Sequence, residues 1–472
     1  GKNVIATANL NATDGIVNSS SRGPASDGRI KPDISAHGAP QMSTDPDNAY
    51  APGGGTSAAA PGICGVMAQM YDAYSDLNGG VVAPSALLKA VMLNTANDLG
   101  NDGPDFIYGW GKVNGLKAVQ LLEDNRYLNG TLAQGGSNSH SINIPAGVQR
   151  AKIMVYWADV EASTAAATAL VNDLDATVTD PGSTVHLPWL LDHTPNAATL
   201  ALPATRGADH LNNIEQIAID NPAAGTYTLD IAGTTVPMGT QEYYVVYEFL
   251  MDDITVIHPM GGEGLIPGAN DRIHWDAYGT TGTFLIEYTT DNGASWTTIA
   301  AAEPGASRIL DWTVPATITG QAKVRISRAG ATDESDANFT IIERPQNVRV
   351  NRVCPSVNEI QLAWDAVPGA TGYDVFMLGQ KFMDSIATTA ALTYNVTVAD
   401  INDAQWFSVR AVGANGIRGL RQIAVNYAGA TGGGTVCFLS CSGDNDAGVA
   451  SLDAPGAILE TCGSTTTAVT MT

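Results

Sequence analysis

Gly53-Gly54-Gly55-Thr56-Ser57-Ala58-Ala59-Ala60-Pro61 is followed at once by an apolar run from Ile63 to Tyr71. A turn of small residues that delivers a serine to the first turn of a helix does two things a nucleophile requires. It leaves the hydroxyl accessible, and it places backbone N–H groups without helical acceptors beside any oxyanion that forms there. Gly55 permits close backbone approach and φ values closed to other residues, and Pro61 reads as lying in the first turn, where its missing N–H costs nothing. A serine N-cap after a glycine turn would explain Gly-Thr-Ser on its own. The neighbouring residues favour the nucleophile.

The heptapeptide from Gly55 to Pro61 resembles the active-site serine segment of the subtilisin-like serine proteases. Ser20-Ser21-Arg22-Gly23-Pro24, followed by Asp27-Gly28-Arg29-Ile30-Lys31-Pro32-Asp33, resembles the segment that precedes it in that family. The resemblance implies Ser57 as the catalytic nucleophile, with Gly55, Thr56 and Pro61 as motif residues supporting the oxyanion site. It also implies an α/β domain that closes with the glycine-rich turn Tyr108-Gly109-Trp110-Gly111 and a last helix from Gly115 to Leu122. Ala58 stands where many subtilases carry methionine, and alanine cannot form a sulfoxide beside the nucleophile.

A serine needs a histidine to take its proton and a carboxylate to orient that histidine. Asp14, His37 and Ser57 stand in the family's order, yet neither Asp14 nor His37 lies in the Asp-Ser/Thr-Gly or His-Gly-Thr context of the family. His37 reads as a turn residue, and Asn3 as part of a strand rather than the turn that holds the family's oxyanion asparagine. The expectation is a fragment that holds the nucleophile and the Ser57 N–H, cut at both ends and inactive alone.

The chain has 472 residues, too many for one ordinary core. Its 47 acidic against 23 basic residues give a net charge of −24, which argues against nucleic-acid and anionic-membrane partners. No stretch approaches the roughly 20 apolar residues of a membrane span. Past residue 125 the apolar period changes to two, as in strands. Runs at 151–157, 174–179, 225–231 and 243–249 predict a sandwich or jelly roll, and the order of 170–175, 212–215 and 223–227 resembles the β-barrel domain behind the catalytic domain of one group of alkaline subtilases. Asp291-Asn292-Gly293 between alternating runs is a strong hairpin signal. Residues 345–428 resemble a fibronectin type III module, with Trp364 on one strand and Phe407 where a tyrosine is usual.

The expected organisation is a partial α/β subtilisin-like domain (1–125), a jelly-roll β-barrel (126–251), an Ig-like β-sandwich (252–343), a fibronectin type III-like domain (344–429), and a linker with the start of a further domain (430–472). Cys64 reads as a small residue of a buried helix, and one disulfide is expected among Cys437, Cys441 and Cys462. Asp173 and Asp175, two apart on one strand face, with Asp209, Asn212 and Asn213 in a separate loop, offer oxygen ligands for Ca2+. Related barrel-bearing subtilases bind calcium; ordinary turn chemistry would explain the same residues. No organic cofactor is expected. The function this implies is a secreted serine endopeptidase acting on protein or peptide substrates, with cell-surface or polymer contacts through the β-modules. The alternative is a non-catalytic binding protein on a degenerate protease remnant.

Overall fold

The computed structural model describes residues 1–46 and 49–429, together with strand pairs at 435–436, 451–452 and 457–458. Cys437, Cys441 and Cys462, and nearly all of 430–472, lie outside the described residues. The chain divides into two compact units, Gly1–Asp252 and Asp253–Thr472.

In the first unit β1 (Thr7–Asn11) pairs in parallel with β2 (Ile34–Ala39). The strand expected from Asn3 therefore begins four residues later, because Asn3 is held elsewhere: its Nδ2 donates to Asp159 O at 2.8 Å. A hairpin of β3 (Gln41–Asp45) and β4 (Ala49–Gly53) leads to α1 (Thr56–Leu77), followed by α2 (Ser85–Asn94) and α3 (Gly115–Glu123). Asn114 caps α3 by accepting the Lys117 N–H at 3.0 Å. The glycine-rich turn before it runs along β2, with Ser35 donating to Gly111 O and Val113 to Ser35 O. Gly109 has φ 66°, and a Cβ there would meet Pro32 O at 2.5 Å, so glycine is required.

Then come β5 (Tyr127–Leu132), β6 (Ser137–Ile144), β7 (Val148–Tyr156), β8 (Asp173–Thr179), β9 (Val185–His186), β10 (Trp189–Leu190), β11 (Thr205–Arg206), β12 (Ile214–Asp220), β13 (Gly225–Thr235) and β14 (Gln241–Met251). They form two four-stranded sheets, β12-β7-β14-β5 and β6-β13-β8-β9, with β10 and β11 paired separately. The first sheet is buried on both faces, and period two tells which side chain goes where. Ile153, Val155, Ile217, Ile219, Tyr243 and Val245 face the second sheet. Met154, Tyr156, Ile214, Ala218, Tyr244 and Val246 join the core of the helical segment. This explains why 153–157 reads as an unbroken apolar run: such strands have no solvent face. It also makes residues 1–252 one compact unit, although α3 ends at Glu123 and β5 starts at Tyr127.

α2 is buried continuously from Leu87 to Asn94. α1 departs from expectation. Only Ala59, Ile63 and Met70 are buried, and Cys64 is exposed, because one side of the helix packs on β1, β2 and α3 while Pro61, Cys64, Gly65 and Ala68 face away.

The second unit holds two β-sandwich cores, one around Trp275, Phe284 and Phe339, the other around Trp364, Tyr373 and Phe407. In the first, Asn292 and Gly293 have φ 59° and 88°, the left-handed values that an Asn-Gly hairpin turn requires. In the second, Phe407 makes no hydroxyl bond, and Tyr427 supplies one, its OH donating to Ile401 O at 2.9 Å. Cys354 is disulfide-bonded, a role its spacing does not predict. No helix among the described residues is long and apolar enough to cross a membrane.

Lys89 on α2 is a titratable group caught in this packing. It is 4% exposed, bonds Asp33 at 3.3 Å and Val4 O at 3.0 Å, and lies 5.0 Å from the Tyr156 ring centre. Burial lowers its pKa from 10.5 to about 8, with Asp33 opposing the shift. Between those values the unfolded chain binds more protons, so stability rises with pH across about 8 to 10.5 as the buried charge is discharged. Urea unfolding of the wild type should show this rise, and Lys89→Met should lack it; parallel pH profiles would place the lysine charge in contact with water.

Candidate active site

Ser57 is exposed in the first turn of α1. The turn that presents it is built by Gly55, the helix N-cap, with φ 107° and ψ 179°. Gly55 N donates to Gly38 O at 2.8 Å, and Gly55 O accepts from Ala58 N at 3.0 Å and Ala59 N at 3.2 Å. No side chain caps this end of the helix. The positive end of the helix dipole is thus left beside the serine, where it favours a developing negative charge.

Pro61 is the sixth residue of α1 and not in its first turn, since the helix already begins at Thr56. Its i−4 neighbour is Ser57. The proline therefore denies the Ser57 carbonyl its helical donor.

Two residues the sequence reading leaves aside hold this turn from below. A Cβ on Gly38 would lie 2.6 Å from Ala59 N, 2.6 Å from Asn9 Oδ1 and 2.7 Å from Gly55 O. β2 therefore runs against the serine turn as closely as backbone allows. Asn9 fills the other side of the contact, fully buried. Asn9 carried no signal in the sequence.

The candidate triad partners are not assembled. Asp14 bonds Lys112 at 2.6 Å. His37 lies in β2, half-buried, and its Nε2 has no hydrogen-bond partner. It is thus a strand residue rather than a turn residue. The side-chain amide of Asn3 is engaged by Asp159 and by Asn213, whose Nδ2 donates to Asn3 Oδ1 at 3.0 Å. Among the described residues no histidine is hydrogen-bonded to Ser57.

Of the five residues considered for calcium, Asp173 and Asp175 lie side by side on one strand, and Asp209, Asn212 and Asn213 are hydrogen-bonded within and around their loop. Asn212 Oδ1 accepts the Ile30 N–H at 2.9 Å, and its Nδ2 donates to Asp209 Oδ2 at 2.7 Å. Asp209 Oδ1 accepts from Leu211 N and Asn212 N, and Asn213 Nδ2 donates to Trp157 O. These are turn and docking contacts. What gathers instead is Asp173, Asp175 and His210, whose ligand atoms lie within 4.8 Å of one another. A calcium ion asks for six to eight oxygens, and this group offers two carboxylates and an imidazole nitrogen.

The fold and this turn place an exposed serine at a helix N-terminus. Residues 1–111 match Peptidase_S8, the Subtilase family, and so include the whole serine segment. A curated relative, the serine protease/ABC transporter B family protein tagA of Dictyostelium discoideum, is 26% identical over 266 residues. That is 48% of this chain but 15% of the relative, so the chain spans less than a sixth of its length. Among solved structures, the prenylagaramide maturation protease PagA is 26% identical over 25% of this chain and 42% of its own, with a TM-score of 0.22. The patellamide maturation protease PatA is 22% identical over 26% of this chain and 44% of its own, at 0.23. A Fn3-like protein from Clostridium thermocellum is 22% identical over 21% of this chain and 98% of its own, at 0.17.

The contact beneath the turn is testable. Gly38→Ala should cost about 1–3 kcal/mol through overpacking and should shift the amide resonances from Gly55 to Ala59. Unchanged resonances would show the approach to be slack.

Proposed function

We propose that this chain carries the nucleophile of a subtilisin-like serine endopeptidase. The observation that supports the reading is the exposed Ser57 at the uncapped N-terminus of α1, behind a glycine at φ 107°, inside a segment that matches the Subtilase family. In this reading Ser57 Oγ attacks a peptide carbonyl carbon while a general base takes its proton. The oxyanion of the tetrahedral adduct is held by the Ser57 N–H and a second donor. The protonated amine leaves, and water hydrolyses the acyl-serine. Among the described residues neither the base nor its orienting carboxylate is brought to Ser57, so the chain alone is expected to be inactive. The disulfide at Cys354, of a kind that oxidising compartments preserve, supports an extracellular setting in this reading. The substrates are proteins or peptides in this reading.

In a protein that joins this chain to a segment supplying the histidine and aspartate, Ser57→Ala should reduce kcat by about six orders of magnitude and abolish labelling by serine-directed phosphonates. Activity near the parental level would remove Ser57 from the mechanism. The 472-residue chain by itself should show no hydrolysis that Ser57→Ala removes.

Residues 1–252 form a compact unit with their own cores. Deleting 253–472 from the active protein should accordingly leave turnover of small peptides within about twofold, with any change confined to polymeric substrates. A loss of tenfold or more would give the β-modules a part in supporting the site.

A further inference from the structure

β8 begins with Asp173-Leu174-Asp175. Leu174 enters the core between the sheets, so the two aspartates share the opposite face. The loop before β12 brings His210 to that face. Its Nδ1 lies 2.8 Å from Asp173 Oδ2 and 3.6 Å from Asp175 Oδ1. Asp175 Oδ2 accepts the Thr234 hydroxyl, which leaves its Oδ1 toward the imidazole without a hydrogen bond.

The carboxylates here are short of partners. Asp173 is 8% exposed, and its Oδ1 has none. Glu215 on β12 is 2% exposed, and its Oε2 accepts the Ala176 N–H at 2.6 Å. Glu215 also feels the negative charges of Asp209 and Asp175. Four acidic side chains thus crowd one corner of the sandwich. Among the described residues, the imidazole of His210, its side chain 57% exposed, is paired with Asp173 and Asp175. Buried carboxylates without donors or a counter-charge are costly, and a bound cation would remove that cost.

We infer that Asp173, Asp175 and His210 form a binding site for one divalent transition-metal ion of the Zn2+ or Mn2+ kind, with Glu215 adding negative charge behind it. Two ligands bound at about 2.0–2.1 Å around a tetrahedral ion lie about 3.3 Å apart, and the observed separations of 2.8 and 3.6 Å bracket that value. Imidazole with carboxylate suits zinc and manganese, whereas calcium takes oxygen ligands. The ion would occupy the place of the hydrogen on His210 Nδ1, the imidazole keeping its other hydrogen on Nε2. The exposed edge of His210 provides the way in.

The test uses the whole 472-residue chain, stripped with chelator and titrated with ZnCl2 and, separately, CaCl2 by calorimetry. One equivalent of zinc should bind, raise the thermal midpoint, and bind at least tenfold more weakly in His210→Ala and Asp173→Asn. His210→Ala carries the comparison if Asp173→Asn fails to fold, because His210 is largely outside the core. CoCl2 should give visible absorption bands in the wild type that His210→Ala removes. Zinc binding and cobalt bands identical in wild type and His210→Ala would overturn the proposal. So would calcium binding that Asp173→Asn abolishes and His210→Ala leaves unchanged, since the imidazole would then be a bystander at a hard-cation site.

Discussion

Everything in the first unit depends on the burial of α2 against the outer face of one sheet. A helix covered continuously from Leu87 to Asn94 has no side for polar groups, yet it carries Lys89 and Asn94. Each is answered by a partner at fixed register. Gln216 Nε2 donates to Asn94 Oδ1 at 2.9 Å, and Lys89 reaches Asp33. On the sheet, Lys152 pairs with Glu248 at 2.6 Å and also donates to Ala96 O at 3.2 Å. Buried polar groups are tolerated when paired and are costly when one partner is lost, so these contacts fix how the helix lies on the sheet.

The serine turn inherits its rigidity from the same arrangement. α2 anchors the core, the core holds β2, and β2 presents Gly38 to the backbone of the turn. Ser57 therefore sits between backbone elements that are packed against each other, as the positioning of a nucleophile would demand. Pro61 adds a local effect by freeing the Ser57 carbonyl from the helical ladder. The segment from Asp27 to Asp33 is tied to the same framework: Ile30 donates to Asn212, and Ala169 N donates to Asp27 Oδ2 at 3.1 Å.

An acidic chain must also manage its charges internally. On the surface a net charge of −24 is solvated, but in the sandwich corner solvation is lost and the carboxylates need a cation or a proton. Burial raises the pKa of Asp173 and Asp209, and that of Glu215 well above its ordinary value. Burial alone would lower that of His210, yet Asp173 and its neighbours more than reverse the effect. Just before Asp173 the same need is met by the chain itself, where Asp159 accepts the Val171 and Asn172 N–H groups. Lys2 Nζ bonds Asp159 at 2.5 Å and Ala169 O at 2.6 Å.

The local sequence was sufficient for what local backbone physics decides. Small residues before an apolar run specified the serine turn at Gly55; period-two runs specified the strands of the sandwich; Asn292-Gly293 specified a hairpin. Each follows from steric limits on φ and ψ or from side-chain period, and neither needs a distant partner. The start of β1 was misplaced because Asn3 is held by Asp159, 156 residues away. Cys64 and Pro61 were misread because helix start and helix face depend on what packs against α1. Asp173 and Asp175 were legible as a pair, but His210 and Glu215 joined them only through the fold, while Asn212 left for Ile30. Which polar groups meet is set by long-range register, and a linear pattern holds no record of it: the sequence determined the turn, and the tertiary structure decided its neighbours.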